Sequence, residues 1–530
     1  MNLFSIISFV TVLLLIYLYA YYRTRNIDKK DSEGYFLGGR TLVGTTVGMT
    51  IIMTNLSTEQ LVGQNGQAYV AGMEVMAWEV TASVAIVMLA WVFLPKYFKY
   101  GVNTISDFIE IRYDTFTKRV VSILFIFTYV VSFMPVVLYS GALIFNDLFG
   151  LEQHLGVSKI TAVIIISTVI GLVGVLYLFF GGLSMIAHSD SLYGIGLLVG
   201  GMTITILGLI ALGENSLFSG IDNFLNSSPE KLNAWGALDS PIVPWPTLFL
   251  GMLFNNLYFW CTNQMIVQKA LAAKNLKEAQ KGAMFVGFFK ISGMFFLVIP
   301  GIIAYNMFGE GMQMDLAYPA LVAEVLPDWA SGLFGAVVFG AIMSSFVGAL
   351  NATVTLFSLD FYKPVINKQA TNRQIAKAGR ILTIVLGIVV ILIAPLISLF
   401  PQGLYAVIQE FNGLYSMPLL AIVLVGFYSK KTSATGAKIA LVFHIVVYAL
   451  SKVVIPEIHY LYVWSVLFLL DLAILYFYSQ KKPSQEDFQF DKYTNKVDIT
   501  PWKHVRWVGV LILVIVVASY VVFSPVVLAK

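Results

Sequence analysis

A small set of ionisable and amide side chains lies deep inside apolar stretches of this sequence. A charge held within a bilayer is unfavourable, so it points to function and needs a partner of opposite sign. Glu79 and Lys290 could neutralise each other. Such a pair also offers donors and acceptors to a neutral polyol, although it could equally be a structural bridge between helices. The full set is Gln60, Glu79, Asn256, Asn263, Gln264, Lys290, Gln409 and Glu410.

Two apolar stretches contain polar runs in their middle. One run covers residues 54–60 (TNLSTEQ), and the other covers residues 261–264 (CTNQ) just after Asn255 and Asn256. Polar clusters at membrane depth are tolerated where they face a cavity or satisfy unwound backbone. We therefore predict that both helices are interrupted at these runs.

Adjacent hydroxyls at Ser344 and Ser345 suggest cation chemistry. Sodium is a hard cation that prefers oxygen ligands, and interrupted helices expose backbone carbonyls that can supply them. Gly340 and Ala341 precede the two serines and would let another helix approach closely. The alternative is that the serines bond back to carbonyls of their own helix, which is common.

The elements that must hold these side chains are membrane-spanning helices. The chain has 530 residues, of which 58% are hydrophobic and 12% charged, whereas soluble chains carry about 25% charged residues. A span needs about 20 apolar residues, and the long unalternated runs exclude a β-barrel. We predict about fourteen spans, at 3–22, 41–66, 70–96, 119–147, 158–180, 187–213, 243–268, 283–308, 329–361, 378–399, 403–427, 433–454, 458–479 and 505–526.

The distribution of positive charge tests this count. When alternate loops are assigned to the cytoplasm, beginning with the loop after the first span, 28 of the 33 Lys and Arg residues fall on that side. Cytoplasmic loops carry the excess of basic residues. A missed helix would invert the pattern downstream, so we predict that both termini are extracellular. The net charge of +4 is then a topology signal, not a sign of nucleic-acid binding.

Other function classes find little support. The five histidines show no metal-ligand spacing, and no phosphate-binding Gly-Lys loop points to ATP. A receptor or an enzyme would need a soluble domain, and the loops are too short for one. We therefore expect a transporter and not an enzyme.

The two interrupted spans are five spans apart. Two halves of five helices each would have opposite topology, and breaks at matching places in such repeats mark a binding site near the bilayer midplane. At these segments the chain resembles the sodium/solute symporter family, closest to its bacterial sodium/galactose branch. The resemblance rests on residues 35–40 (YFLGGR), 55–60 (NLSTEQ), 181–184 (GGLS), 263–274 (NQMIVQKALAAK) and 341–345 (AIMSS).

This resemblance implies a polytopic all-α fold with a five-plus-five inverted-repeat core of the LeuT type. One helix would precede the core and three would follow it. The implied division is an extra helix and loop in residues 1–34, a first repeat in 35–213, a second repeat in 214–428, and three further helices in 429–530.

The resemblance also implies a sodium site. Its ligands would be the carbonyls of Met53, Leu56 and Ala341 and the hydroxyls of Ser344 and Ser345. The family also has an acid at the position of Asp190, which could favour release of the cation inward. Asp190 could instead be an acid at a helix N-terminus that the macrodipole stabilises.

The resemblance further implies a solute site and its gates. Solute ligands would be Gln60, Glu79, Asn256, Lys290 and Gln409, all of the residue type found in the branch. The gates depart from the branch: Phe259 replaces a tyrosine beside the retained Trp260, Trp78 replaces a tyrosine, and Tyr405 replaces a phenylalanine. Near the solute, Ala82 and Phe133 stand where the branch has serine and asparagine.

The resulting prediction is a sodium-coupled symporter that imports a small neutral sugar by alternating access. The expected location is a cell membrane, the bacterial plasma membrane. A hexose such as galactose or glucose is the expected solute. The same fold could instead carry inositol or another polyol, sialic acid or an amino acid. The expected partners are sodium, the solute and the lipid bilayer.

Overall fold

Helices account for nearly all of the secondary structure. The computed structural model describes residues 3–399, 404–484, 487–489 and 497–529, and for residues 404–407 and 410 it describes the backbone alone. Within those ranges there is no β-strand, only an isolated bridge between Leu42 and Ala273. Tyr405, a predicted gate residue, lies outside the described side chains.

The first half of the chain contains twelve α-helices within the described residues. They are α1 (Leu3–Thr24), α2 (Ser32–Leu37), α3 (Gly44–Asn55), α4 (Thr58–Ala71), α5 (Ala77–Val80), α6 (Ala82–Met88), α7 (Leu94–Tyr100), α8 (Ile105–Arg112), α9 (Thr115–Thr128), α10 (Met134–Phe149), α11 (Leu151–Leu155) and α12 (Lys159–Leu212). Short π-helical turns at Leu89–Phe93 and Tyr129–Phe133 join α6 to α7 and α9 to α10.

The second half contains thirteen more among the residues described. They are α13 (Leu217–Asn226), α14 (Gly251–Cys261), α15 (Gln264–Leu271), α16 (Leu276–Leu297), α17 (Ile299–Phe308), α18 (Ala317–Val325), α19 (Ser331–Phe357), α20 (Asn372–Ile393), α21 (Leu404–Gly413), α22 (Ser416–Tyr428), α23 (Ala434–Val454), α24 (Tyr460–Lys481) and α25 (Val505–Val522). A π-helical segment at Ser358–Ile366 extends α19.

Eleven helical segments of the described chain are long and apolar enough to cross a membrane. That number takes Thr58–Tyr100 and Lys159–Leu212 as single segments and leaves out α14 and α15, which are 11 and 8 residues long. The predicted count of fourteen spans therefore stays a prediction.

The helix α12 holds two predicted spans, 158–180 and 187–213, without a loop between them. Its 54 residues would extend about 80 Å at 1.5 Å per residue, far beyond a hydrocarbon core of about 30 Å. Gly182 breaks it with φ 61° and ψ −172°. A Cβ there would lie 2.9 Å from the carbonyl oxygen of Tyr35, so this sharp turn requires glycine.

The functional elements lie at the centre of the helix packing. The short helix α3 packs against α12, α16 and α19, and α1 covers α12 and α19 from outside. Of the last helices, α23 and α24 pack beside α22, and α25 packs on α16 and α6. The peripheral helices expose many large apolar side chains, such as Leu3, Leu392 and Val453, as lipid-facing surfaces do.

Candidate functional site

The first predicted interruption lies between α3 and α4. Helix α3 ends at Asn55, and Leu56 and Ser57 take extended conformations before α4 begins at Thr58. The segment is buried: Met53 and Leu56 are 0% exposed. The prediction of a broken helix at the polar run 54–60 is confirmed.

The serine pair of α19 faces this break. The Ser345 hydroxyl donates to the carbonyl oxygens of Met53, at 3.2 Å, and Thr54, at 3.0 Å. Ser345 therefore bonds to another helix and not back to its own, which excludes that alternative for this residue. The buried Ser344 hydroxyl lies beside Asp190 instead, and Ala341 is buried one turn before it.

These oxygens suit a hard monovalent cation. Carbonyls at the end of α3 meet the Ser345 hydroxyl of α19 in a buried position, and hard cations select oxygen ligands. Of the predicted ligands, Met53 and Ser345 are in contact here. Leu56, Ala341 and Ser344 lie on the same two segments and are buried. The donor chemistry thus fits sodium as a transported ion.

Asp190 lies beside this cluster, in the middle of a helix. The Thr50 hydroxyl donates to its Oδ2 at 2.5 Å, and the Lys269 ammonium lies 3.3 Å from the same oxygen. Helix-dipole effects fade within the first turn, and Asp190 follows the Gly182 break by two turns. The interpretation as an N-terminal helix acid is therefore wrong, because this carboxylate belongs to a buried ion pair.

Lys269 is the residue that sequence reasoning missed. The predicted spans 243–268 and 283–308 leave Lys269 in a cytoplasmic loop. In the structure it lies in α15 and is 1% exposed. Its ammonium donates to the Thr50 carbonyl at 3.1 Å and to the Thr54 hydroxyl, besides pairing with Asp190. Its apolar neighbours in the run VQKALAA were the available signal.

The second predicted interruption separates α14 from α15. Asn263 caps α15, and its Oδ1 accepts hydrogen bonds from Met265 N, at 3.0 Å, and from the Tyr129 hydroxyl, at 2.7 Å. The last residue of α14 is Cys261, fully buried with its thiol directed at the Ala85 carbonyl oxygen 3.3 Å away. This prediction of a broken helix is also confirmed.

A small polar cavity lies between the two broken helices. It has a volume of about 40 Å³, whereas pockets for drug-sized ligands are about 300–1,000 Å³. All five predicted solute residues line it, together with three of the predicted gate residues. Its lining is Asn55, Glu59, Gln60, Trp78, Glu79, Phe133, Asn255, Asn256, Phe259, Trp260, Lys290, Ile408, Gln409 and Asn412.

The ion pair expected from sequence is present in this cavity. The Lys290 ammonium contacts a carboxylate oxygen of Glu79, and both side chains are 1% exposed. Lys290 also donates to Asn55 Oδ1 at 2.7 Å, and the Gln64 amide donates to the other Glu79 oxygen at 2.9 Å. The pair therefore sits within a set of amides, at the end of α3.

Amides and aromatic rings complete the lining. Asn256 donates to the Thr81 hydroxyl at 2.7 Å. The rings of Phe259 and Trp260 meet edge to face, with centroids 5.3 Å apart, and the Lys290 ammonium lies 5.3 Å from the Trp260 ring centre. Trp78 is 4% exposed on the same cavity.

The cavity also contains a carboxylate that sequence reasoning did not single out. Glu59 is 2% exposed and accepts a hydrogen bond from the Ser57 hydroxyl at the start of α4. Among the residues that the structure describes, no lysine or arginine nitrogen lies within 4.0 Å of it. Its place in the polar run 54–60 was the signal. Phe133 lines the cavity as expected from sequence, and Ala82 does not.

Comparison with known proteins decides the family. The model of the sodium:solute symporter family matches residues 35–443. The chain belongs to this family. The symporter is 40% identical to the uncharacterized symporter YidK of Escherichia coli, across 98% of this chain and 91% of that protein. It is 31% identical to the sodium/glucose cotransporter of Vibrio parahaemolyticus, across 79% of each chain.

Solved structures place the symporter in the LeuT-type fold. A Na+-coupled sialic acid symporter, 18% identical, superposes with a TM-score of 0.76 over 91% of this chain and 99% of its own. The nucleobase-cation-symport-1 family transporter Mhp1, in a closed conformation, gives 0.57 over 88% and 99%. The expected all-α fold with an inverted-repeat core is confirmed.

Family and fold together establish the general activity. The protein is a multi-pass membrane symporter that couples a small solute to sodium, and it is not an enzyme. Sodium is the ion it depends on. The predicted coupling of a small solute to sodium is therefore confirmed.

Proposed function

We propose that this symporter imports a neutral sugar, a hexose such as glucose or galactose, together with sodium by alternating access. The observation that carries the proposal is the Glu79–Lys290 ion pair, which lies in one cavity with Gln60, Asn256 and Gln409. The pair cancels its own charge and retains donors and acceptors, so it matches a neutral polyol. The sodium/glucose relative at 31% identity supports the same solute class.

Alternative solutes fit this cavity less well. An α-amino acid carries an ammonium group and a carboxylate on its α-carbon. Each of these would need a partner of opposite charge, and Glu79 and Lys290 already pair with each other. Sialic acid adds a carboxylate, and the cavity already contains two, those of Glu59 and Glu79. A neutral cyclic polyol remains open, since the human sodium/myo-inositol cotransporter 2 is 28% identical over 77% of this chain and 64% of its own length.

A chain of contacts connects the sodium site with the solute site. Ser345 holds the carbonyls of Met53 and Thr54, and the next residue, Asn55, accepts a hydrogen bond from Lys290. A cation bound to the carbonyl oxygens of α3 would hold the end of α3 in place. It would thereby also hold the Asn55 amide, which accepts a hydrogen bond from Lys290. Sodium binding thus favours the state that binds the solute, as symport requires.

The size of the cavity specifies the motion that transport needs. About 40 Å³ holds a water molecule or two and is too small for a hexose. The aromatic side chains at its edge, Trp78, Phe259 and Trp260, must move before a sugar can enter.

The driving force for this import comes from sodium. Each sodium ion that enters contributes about 2.3 kcal/mol for each 100 mV of membrane potential.

The arrangement of the chain in the membrane is part of the proposal. We take residues 35–213 and 214–428 as the two repeats, with 1–34 before them and 429–530 after them. Each repeat then contains one interrupted helix, α3/α4 and α14/α15. The positive-inside pattern supports extracellular termini in a bacterial plasma membrane.

Uptake into proteoliposomes tests the proposal. We expect labelled glucose or galactose to accumulate under an inward sodium gradient and not under a potassium gradient of equal size. Myo-inositol, sialic acid and proline complete the panel. Uptake that ignores sodium would contradict the symport mechanism, and accumulation of inositol or sialic acid in place of hexoses would contradict the sugar assignment.

A variant of the solute site sharpens this test. Gln409→Ala should raise the KM for sugar about tenfold, because one hydrogen-bonding group worth about 1–1.5 kcal/mol is lost. The exposed Gln153→Ala serves as the matched control, with an unchanged KM. An unchanged KM in Gln409→Ala would remove that residue from the solute site.

A further inference from the structure

A buried histidine–aspartate pair joins two of the last helices. His444 of α23 and Asp471 of α24 are both 0% exposed, and Nδ1 of the histidine lies 2.8 Å from Asp471 Oδ2. The other ring nitrogen, Nε2, lies 3.0 Å from the Gly413 carbonyl oxygen. Because a carbonyl oxygen can only accept, Nε2 carries a proton and donates this hydrogen bond. The contact of Nδ1 with Asp471 fixes the ring in that orientation.

The acceptor of this hydrogen bond lies at the end of a helix. Gly413 is the last residue of α21, and the final carbonyls of a helix have no partner within it. The chain then turns through Leu414 and Tyr415 before α22 begins at Ser416. Residues 413–415 thus form a joint between α21 and α22, and His444 holds the first residue of this joint.

The joint is packed closely on both sides. A Cβ on Gly413 would lie 2.6 Å from Trp464 Nε1 and would overlap the Tyr448 ring, so only glycine fits against α23 and α24 here. On the other side, the Tyr258 hydroxyl of α14 donates to the Tyr415 hydroxyl at 3.0 Å. The joint is therefore held between one of the interrupted helices and the two helices that carry the histidine–aspartate pair.

Helix α21 forms part of the wall of the solute cavity. Three of its described side chains line that cavity, those of Ile408, Gln409 and Asn412. Asn412 directly precedes Gly413, and Gln409 lies about one turn earlier. A shift of the Gly413 carbonyl would move both amides, because the helix carries them as a rigid unit.

We infer that His444 is a positioning residue for solute binding. By holding the Gly413 carbonyl, it sets where Gln409 and Asn412 stand in the cavity, and Asp471 acts through His444 by fixing its ring. The inference rests on the proposed function, because it takes Gln409 as a solute ligand. It gives α23 and α24 a part in solute binding, although none of their described residues lines the cavity.

Two substitutions of His444 separate this role from a purely structural one. The amide nitrogen of asparagine reaches about as far as Nδ1 of histidine, and that of glutamine about as far as Nε2. Glutamine therefore keeps a donor for Gly413, whereas asparagine keeps only the contact with residue 471. Each is combined with Asp471→Asn, so that no uncompensated charge is left buried.

The measurement is the KM for labelled glucose or galactose in proteoliposomes, with Asp471→Asn alone as the reference. His444→Asn should raise the KM about tenfold, the size of one lost hydrogen bond, and His444→Gln should stay within about twofold of the reference. Binding of sodium without sugar should be equal in all three proteins, since the α3 and α19 segments are untouched. Equal KM values in the folded asparagine and glutamine variants would overturn the inference.

Gly413→Ala displaces the same carbonyl and leaves His444 and Asp471 in place. Its added Cβ meets Trp464, so the KM should rise here as well, again with unchanged sodium binding. This variant decides the matter if the asparagine variant does not fold. An unchanged KM in folded Gly413→Ala would contradict the role of the joint.

Backbone hydrogen exchange separates this inference from the proposed function. Without the His444 donor, the amides of residues 408–413 should exchange faster, and glutamine should restore their protection, while α22 stays unchanged. If the wild-type protein takes up no hexose, the proposed function fails, and this exchange measurement alone decides whether His444 holds the joint. Equal exchange in both variants would show that it does not.

Discussion

The protein contains two buried acid–lysine pairs that differ in what surrounds them. Glu79–Lys290 and Asp190–Lys269 are each 1% exposed, and each joins an acid from the first half of the chain to a lysine from the second. Side-chain amides and an aromatic ring surround the first pair. A backbone carbonyl and hydroxyls surround the second.

We propose that this difference gives the two pairs different uses. Amide side chains such as Asn55 and Gln64 can rotate and exchange partners, so the pair beside them can admit a solute. The Thr50 carbonyl is fixed by its helix, so the Asp190–Lys269 pair beside it cannot exchange partners in the same way. Burial of an ion pair is by itself weak evidence for either use. The groups that surround each pair are what distinguish the two uses.

The largest expected effect comes from breaking the pair in the solute cavity. Lys290→Met leaves Glu79 charged and unpaired, which destabilises the fold by about 3–5 kcal/mol and abolishes sugar uptake. Combining it with Glu79→Gln should restore thermal stability but not uptake. Thermal unfolding and proteoliposome uptake measure the two outcomes. Transport by the double variant would show that this pair is only a structural bridge.

A smaller effect is expected at the serine that faces the first helix break. Ser345→Ala removes one oxygen from the sodium site, so the half-saturating sodium concentration should rise about tenfold, corresponding to about 1.4 kcal/mol. The control is Ser465→Ala, because the hydroxyl of that buried serine bonds to its own helix at Leu461. Equal sodium dependence in both variants would exclude Ser345 as a ligand.

The smallest effect belongs to a partly exposed pair, Lys438–Asp114, whose atoms lie 2.5 Å apart. Partial burial raises the pKa of Asp114, but hydrogen bonds from Lys438 and Thr117 outweigh that effect and lower the pKa below its ordinary value. Stability from the pair is therefore present at neutral pH and is lost as pH falls through that lowered value. Lys438→Met should destabilise the protein by about 0.5 kcal/mol without changing uptake.

The loss of stability in Lys438→Met is the reference for the loss measured at the buried Glu79–Lys290 pair. Its effect on thermal unfolding at neutral pH should fall within the range of exposed ion pairs, about 0–1 kcal/mol. A loss as large as that of Lys290→Met would show that exposure does not separate the pairs.

Sequence reasoning predicted the interior chemistry well because the bilayer makes polar groups conspicuous. Both helix breaks and the meeting of Glu79 with Lys290 follow from the free energy of polar atoms in an apolar medium. The local pattern placed Gln409 among the membrane-embedded amides, and the family resemblance assigned it to the solute site. The choice of the α3 carbonyls came from the resemblance alone. Their meeting depends on packing between distant segments.

The misses have equally specific causes. The predicted spans leave Lys269 on the cytoplasmic side because a lysine near the end of a span normally marks the inner side, and only tertiary packing reveals its buried partner Asp190. The predicted spans 158–180 and 187–213 leave a loop of six residues between them. In the structure a single glycine with positive φ, Gly182, makes the turn instead. The number of spans is hard to read because interrupted helices fall short of the usual length.

The buried position of Cys261 has a practical consequence for following transport in time. It is the chain's single cysteine, and at 0% exposure it is shielded from thiol reagents. Cysteines introduced on the protein surface would thus be the sites that react, without prior removal of native thiols. Spin labels or fluorophores attached at exposed positions near the two interrupted helices, such as Val70 in α4 and Phe249 just before α14, could then report the distance between them as sodium and solute are added.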